Sequence, residues 1–220
     1  LLRLMLAVKD ELDLKLHVVT VDHGLRCEAP GDAAFVLETC RGLGIDASLY
    51  ELGMDPHTPN LEEAARIKRY EAVRDCRDRL GMRYLATGHT LDDQAETVLY
   101  RLARGTGLKG MQGMVAARED GLIRPMLDLT RSEVEAFARA HAVSFVTDQT
   151  NADLTLTRNL IRKRIMPLLR LINPAAQQAL GRFARIAREE HALIEEQVAA
   201  LREHALIADW RICRVFDAHR

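Results

Sequence analysis

The chain alternates short apolar runs with helix-like segments, and this alternation restricts its fold more than any other feature. Leu16-His-Val-Val-Thr-Val-Asp22 is β-branched and mostly apolar, as a parallel strand covered on both faces must be. Ala47 to Leu52 and Arg83 to Thr87 repeat the pattern. Between these runs, Pro30 to Leu43 carries apolar residues at helical spacing (Ala33, Ala34, Leu37, Cys40) and stops at Gly42 and Gly44. Asn60-Leu-Glu-Glu63 opens a second helix, with Asn60 as N-cap, that runs to Leu80-Gly81. Connections of this length allow right-handed crossovers, so the expectation is an α/β fold with a doubly wound, mostly parallel, Rossmann-like sheet. Val143 to Val146 is expected to add an edge strand, and Leu1 to Val8 reads as an apolar helix with no cap and no preceding strand.

The third run leads into Gly88-His-Thr-Leu-Asp-Asp-Gln-Ala-Glu-Thr97. Thr90 suits an N-cap, and Asp92, Asp93 and Glu96 fall within the first two turns of the helix that follows. Spacings of three and four residues let these acids share a face. A capping box and a favourable helix dipole explain acids here without any function. Position argues for more, because ligands of open parallel sheets bind outside the carboxyl ends of the strands. His89 and the three carboxylates are therefore candidates to hold Mg²⁺ or a cationic substrate.

The formal charge of -1 excludes a uniformly basic nucleic-acid binder but conceals segregation. No acid occurs from Leu154 to Arg188, where Arg158, Arg162, Lys163, Arg164 and Arg170 lie. Pro167 should bend the helix carrying them. Asn173-Pro174 starts a long helix expected to reach about Ala205, acidic and amphipathic towards its end. Arg104-Gly-Thr-Gly-Leu-Lys-Gly110 fits G-x-G-x-x-G formally, but it follows a helix instead of a strand, which argues against a dinucleotide fingerprint. A flexible basic loop able to close over phosphates remains, with a purely structural loop as the competing reading. Cys27, Cys40, Cys76 and Cys213 lie far apart with no C-x-x-C pair, which fits a reducing, cytoplasmic setting. No apolar run approaches the roughly 20 residues of a membrane helix.

Taken together, Val21-Asp-His-Gly-Leu-Arg26, Asn60-Leu-Glu-Glu-Ala-Ala-Arg66, Gly88 to Thr97, Arg104 to Gly110, Asp148-x-Thr-Asn151 and Arg158-Asn-x-Ile-Arg162 resemble the catalytic region of the tRNA(Ile)-lysidine synthetases, members of the PP-loop ATP pyrophosphatase superfamily. The resemblance implies a PP-loop ATP-binding catalytic domain over 1–150 and a helical tRNA-contacting extension over 151–220. It implies ATP and Mg²⁺ as cofactors, free L-lysine and tRNA(Ile) with a CAU anticodon as partners, and no membrane; oligomeric state is left open, a homodimer included. His89, Asp92, Asp93 and Glu96 would be catalytic, Asp93 and Glu96 through the lysine, His89 and Asp92 by positioning the reacting centre or the metal, with Asp92 the Mg²⁺ ligand. Asp22, His23, Gly24, Arg26, Arg66, Gly105, Gly107 and Lys109 would hold ATP. Asn151, Arg158, Asn159, Arg162, Lys163 and Arg164 would meet tRNA, mostly at phosphates. The family's S-G-G-x-D-S phosphate loop is not found in these residues, so the chain alone is expected to fold but not to catalyse. A tRNA cytidine 2-thiolation enzyme of the same superfamily and a non-catalytic tRNA-binding fragment are the competing readings.

Overall fold

The computed structural model describes residues 1–25, 29–146, 157–210 and 213–216, with side chains described as far as residue 203. It divides into two compact units whose segments interleave along the chain: Leu1–Gly88, Ala116–Met126 and Glu135–Asp148 form the first, and His89–Val115, Leu127–Val134 and Gln149–Arg220 form the second.

The first unit begins with helix α1 (Leu2–Ala7) and strand β1 (His17–Asp22), followed by α2 (Ala29–Gly42), β2 (Asp46–Glu51), α3 (Leu61–Arg79), β3 (Leu85–Ala86) and β4 (Leu122–Ile123). β1 and β2 pair in parallel from His17↔Asp46 to Asp22↔Glu51. β3 and β4 also pair in parallel, and the ladder is lengthened by Leu85 N–H donating to Gly121 O and Thr87 N–H to Ile123 O. Every strand pair of this unit is thus parallel, as helical crossovers require. Among the described residues no ladder joins β1 to β3. α2 packs on β1 and β2 through its buried Ala33 and Cys40, while α3 packs on β1 and β3 and buries Cys76. Asp120, in the turn before β4, accepts hydrogen bonds from Arg74 and Arg118, each at 2.9 Å, and so ties α3 to that turn.

In the second unit, α4 (Leu91–Ala103) and the short α5 (Leu108–Met111) lie against the long α9 (Ala176–Ala205). Close approach is possible because small residues face the contact. Ala95, Ala184 and Ala187 are almost fully buried, and a Cβ on Gly181 would lie 2.5 Å from Leu91 Cδ1. Between them run α7 (Thr157–Leu160), a π-helical turn (Ile161–Ile165) and α8 (Met166–Ile172). Ile161 and Met166 join Ala95 and Ala176 in one apolar cluster, flanked by Leu99, Tyr100, Leu169 and Leu180. Pro167 accounts for the π turn: its ring would press on the carbonyl of Lys163 in a regular helix, and the wider turn just before it relieves that contact. α6 (Arg131–Ala140) has segments in both units, and β5 (Leu206–Trp210) and β6 (Cys213–Phe216) form an antiparallel pair. No helix among the described residues is long and apolar enough to cross a membrane.

The parallel α/β reading, the helix from Thr90 and the long helix to Ala205 hold. Two local expectations do not. Asn60 precedes α3 with φ 50° and ψ 46° and makes no capping hydrogen bond from its side chain. Its left-handed backbone, which Asn tolerates better than most residues, turns the chain into the helix instead. Val143 to Val146 forms no strand. Val143 N–H closes the end of α6 on Ala138 O, and Phe145 and Val146 are left exposed, so no sheet face is there to bury them.

Candidate active site

Thr90 and Asp93 open α4 with a reciprocal capping box in which Asp93 Oδ2 accepts from both Thr90 N–H and Thr90 Oγ1, at 2.9 Å each. The capping explanation of these acids is therefore correct, and it leaves Asp93 Oδ1 available. That oxygen accepts from Arg162 Nη2 at 3.2 Å. One turn on, Glu96 receives the same guanidinium in bidentate fashion, Nε to Oε1 at 2.6 Å and Nη2 to Oε2 at 3.0 Å. Glu96 is only 1% exposed, so an ionised carboxyl there depends on this partner. Burial pushes its pKa upward, against the hydrogen bond and charge of Arg162. For Arg162, desolvation is outweighed by the bond to Glu96 and the nearby carboxylates, which hold the guanidinium charged. Arg158 adds a long hydrogen bond to Thr97 Oγ1 at 3.3 Å. Two carboxylates from one helix face thus converge on one cation.

Asp92 faces elsewhere. Its Oδ2 accepts Arg131 N–H at 2.7 Å, and its Oδ1 accepts from Arg170 at 3.2 Å and Gln177 at 3.3 Å. Both oxygens are engaged in holding α6, α8 and α9 to the start of α4. Among the described residues no group of three or more His, Cys, Asp or Glu side chains is arranged to hold a metal ion. A Mg²⁺ ion on Asp92, the ligand expected, would have to compete with these bonds. His89 is half-buried and opens the second unit.

The glycine-rich stretch is not a slack loop. Gly107 begins α5, and Gln94, buried in α4, clasps Met114 from both sides: Met114 N–H donates to Gln94 Oε1 at 2.6 Å and Gln94 Nε2 to Met114 O at 3.0 Å. Arg101 donates to the carbonyls of Gly110 and Gly113, and Arg188 to those of Gln112 and Met114. Lys109, Gly105 and Gly107 stay exposed. Gly113 has φ 61°, and a Cβ there would lie 2.5 Å from Gln94 Oε1. Gly113→Ala is accordingly expected to destabilise by about 2 kcal/mol through left-handed strain and displacement of the clasp. That would lower Tm by about 4–8 °C in a scan of the variant against the parent, and an unchanged Tm would contradict the clasp.

In the first unit, Asp22 is buried at the carboxyl end of β1, where its Oδ1 accepts Gly24 N–H at 2.8 Å. Gly24 takes φ 71° and approaches Gly53 so closely that a Cβ would sit 3.3 Å from Gly53 Cα. Met54 N–H donates to His23 O at 2.9 Å, completing a compact turn. The guanidinium of Arg66 lies 5.5 Å from the centre of the Tyr70 ring, with Arg69 and Arg74 each at 5.8 Å. Arg124, only 5% exposed, also meets Tyr70; burial lowers its pKa, Tyr70 opposes that, and the charges of Arg118 and Arg66 add to it. This turn and the arginine-rich face around Tyr70 are what the first unit offers an anionic ligand.

Among the residues expected at tRNA, Lys163 and Arg164 are exposed, whereas Arg162 is committed to Glu96 and Asp93. Asn159 departs from that expectation, since at 7% exposure it belongs to the interior. Arg26, Asn151 and the rest of the Asp148-x-Thr-Asn151 block lie outside the described residues. The partners of Asp92, the Gln94 clasp, Arg124 and Tyr70 were not found from the sequence. Only the pairing of an acid-free segment with an acid-rich helix start gave any sign of the first.

The PP-loop domain model matches residues 1–169. The chain belongs to the PP-loop family. Relatives within it are named tRNA(Ile)-lysidine synthase: that of Thermosipho africanus is 36% identical over 202 residues, covering 90% of this chain and 47% of the relative. The Porphyromonas gingivalis protein is 43% identical over 161 residues, covering 70% of this chain and 35% of its own length. The Gloeobacter violaceus protein is 37% identical over 219 residues, covering 97% of this chain and 66% of its own length. The chain thus spans less than half the length of the first two. Among solved structures, the U34-tRNA thiolase NcsA from Methanococcus maripaludis, with its [4Fe-4S] cluster, shares the PP-loop fold at TM-score 0.69 and 16% identity, covering 84% of this chain and 67% of that one.

Proposed function

We propose that this PP-loop chain carries the catalytic region of an enzyme that ligates lysine to C2 of the wobble cytidine of a tRNA(Ile) with a CAU anticodon. In the first step ATP would adenylate the C2 oxygen with loss of pyrophosphate. In the second the lysine ε-amine would attack C2, form the carbon-nitrogen bond, release a proton and displace AMP. The observation that carries this reading is the convergence of Glu96 and Asp93 on a single cation, because a lysine substrate presents an ammonium and paired carboxylates are strong, charge-assisted partners for it. The names of the relatives point the same way.

The ATP contacts are assigned to the Asp22-His23-Gly24 turn, Arg66, and Gly105, Gly107 and Lys109, with His89 near the reacting centre. Mg²⁺ enters as the counter-ion of the ATP phosphates and not on Asp92, whose oxygens are occupied. tRNA phosphates are assigned to Lys163, Arg164, Arg158 and Arg162, in a cytoplasmic setting. The thiolase of similar fold keeps 2-thiolation as the second reading. One assay separates them: full-length protein, Mg·ATP, CAU-anticodon tRNA(Ile) and radiolabelled lysine. Lysine carried covalently on the tRNA is the expected product. AMP release that ignores lysine but requires a sulfur donor would overturn the ligase reading in favour of thiolation.

A further inference from the structure

Within that ligase reading, we propose that Arg162 is an internal competitor for the substrate cation, holding the Glu96 and Asp93 carboxylates until a tRNA phosphate draws it away. The geometry is that of an occupied receptor. All three acceptor oxygens that face the guanidinium are engaged at 2.6, 3.0 and 3.2 Å, so an ammonium can reach Glu96 only by displacing Arg162. Glu96 is buried, and water cannot stand in for that partner.

The same guanidinium can serve a second anion. Its side chain is 31% exposed, and Lys163 and Arg164, its immediate neighbours, are exposed without any acid in the segment around them. A polyanion drawn to that face meets Arg162 first among the groups that contact the carboxylates. Arg162 sits on the π-helical turn, at whose two ends Ile161 and Met166 both lie in the apolar cluster. With the backbone held at both ends of the turn, rotation about the long arginine side chain alone can carry the guanidinium from the carboxylates towards a phosphate.

The functional consequence is an order of events. Before tRNA binds, the lysine receptor is closed by the protein's own cation. Afterwards it is open beside the bound RNA. The apparent affinity for lysine is then the intrinsic affinity multiplied by the fraction of molecules with Arg162 withdrawn.

The test is equilibrium dialysis of radiolabelled L-lysine against the full-length protein without ATP, with and without saturating CAU-anticodon tRNA(Ile). The parent is expected to bind lysine about 10- to 100-fold more tightly with tRNA, the range in which a charge-assisted pair controls access. Arg162→Met is expected to bind lysine without tRNA as tightly as the parent does with it, and to lower the salt slope of tRNA binding by about one. Lysine affinity in Arg162→Met no better than in the tRNA-free parent, or an unchanged salt slope, would overturn the proposal. Unchanged lysine affinity in Glu96→Gln, with and without tRNA, would instead remove the lysine assignment itself.

Should Arg162→Met not fold, the parent protein decides. With ¹⁵N-labelled arginine, the Arg162 Nε–H signal, assigned by its loss in Arg162→Lys, is expected to be hydrogen-bonded in the free protein and to shift when tRNA is added. A signal that stays bound to Glu96 with tRNA and lysine both saturating would refute the withdrawal.

Discussion

Replacing Arg162 by methionine is expected to destabilise the protein by about 3 kcal/mol at neutral pH, the cost of stranding a buried carboxylate. The asymmetry of the pair makes the prediction specific. Glu96 is 1% exposed, whereas the Arg162 side chain is 31% exposed and can turn to solvent. Glu96→Gln should therefore cost about 1 kcal/mol, since the amide still accepts one hydrogen bond from the guanidinium. Removing both charges should restore much of the loss, because the double variant leaves no unpaired ion inside. pH gives a further check. Burial already holds the Glu96 pKa above that of an ordinary carboxyl group, and loss of Arg162 raises it further. An acid whose folded pKa lies above its unfolded value binds its proton more tightly when folded, so the variant's stability falls as pH rises from the unfolded pKa through the folded one. Urea unfolding at pH 5 and pH 8 should show the larger deficit at pH 8. Equal costs for the two single variants, or a deficit independent of pH, would contradict the buried pair.

The largest effect on activity is expected from the carboxylates. Glu96→Gln or Asp93→Asn should weaken lysine use by about 2 kcal/mol, or roughly 30-fold, by removing a charge-assisted contact to the incoming ammonium. Adenylation should be spared, because neither carboxylate is assigned to ATP. Asp93→Asn carries a capping cost that Glu96→Gln does not: Asp93 Oδ2 closes the capping box on Thr90, worth about 1 kcal/mol. Both variants should lower thermal stability by a similar amount, Asp93→Asn through the helix start and Glu96→Gln through the weakened pair with Arg162, so the lysine dependence of turnover is the measurement that reports recognition. Unchanged apparent lysine affinity in both would remove the assignment.

Much of the fold was legible because it is written locally. Thr90 and Asp93 are three residues apart and do form the capping box, the β-branched run ending at Asp22 is a parallel strand, and Asn173-Pro174 does precede a helix that reaches Ala205. What was not legible depends on contacts across long stretches of chain. Arg162 and Glu96 are 66 residues apart, and nothing in the spacing of either reveals the other. The acid-free segment read as an RNA face is partly the counter-charge of α4: Arg162 serves Glu96, and Arg170 serves Asp92. The glycine-rich stretch looked slack because its restraint comes from Gln94, Arg101 and Arg188 on other helices. The strand expected at Val143 to Val146 failed for a related reason: β-branched composition favours a strand only where a sheet edge is available to pair with it.

The central claim is that Glu96 and Asp93 receive lysine in the second step of a two-step ligation, and the fate of the intermediate tests it most directly. Full-length protein is incubated with CAU-anticodon tRNA(Ile), lysine and ATP labelled at the α-phosphate, and tRNA-bound label is followed with time. The parent should show adenylated tRNA only transiently, with AMP released as lysine is incorporated. Glu96→Gln should form adenylated tRNA at the parent's rate and accumulate it, and high lysine concentrations should discharge it. Loss of adenylation in Glu96→Gln, or discharge at the parent's lysine concentration, would contradict the account.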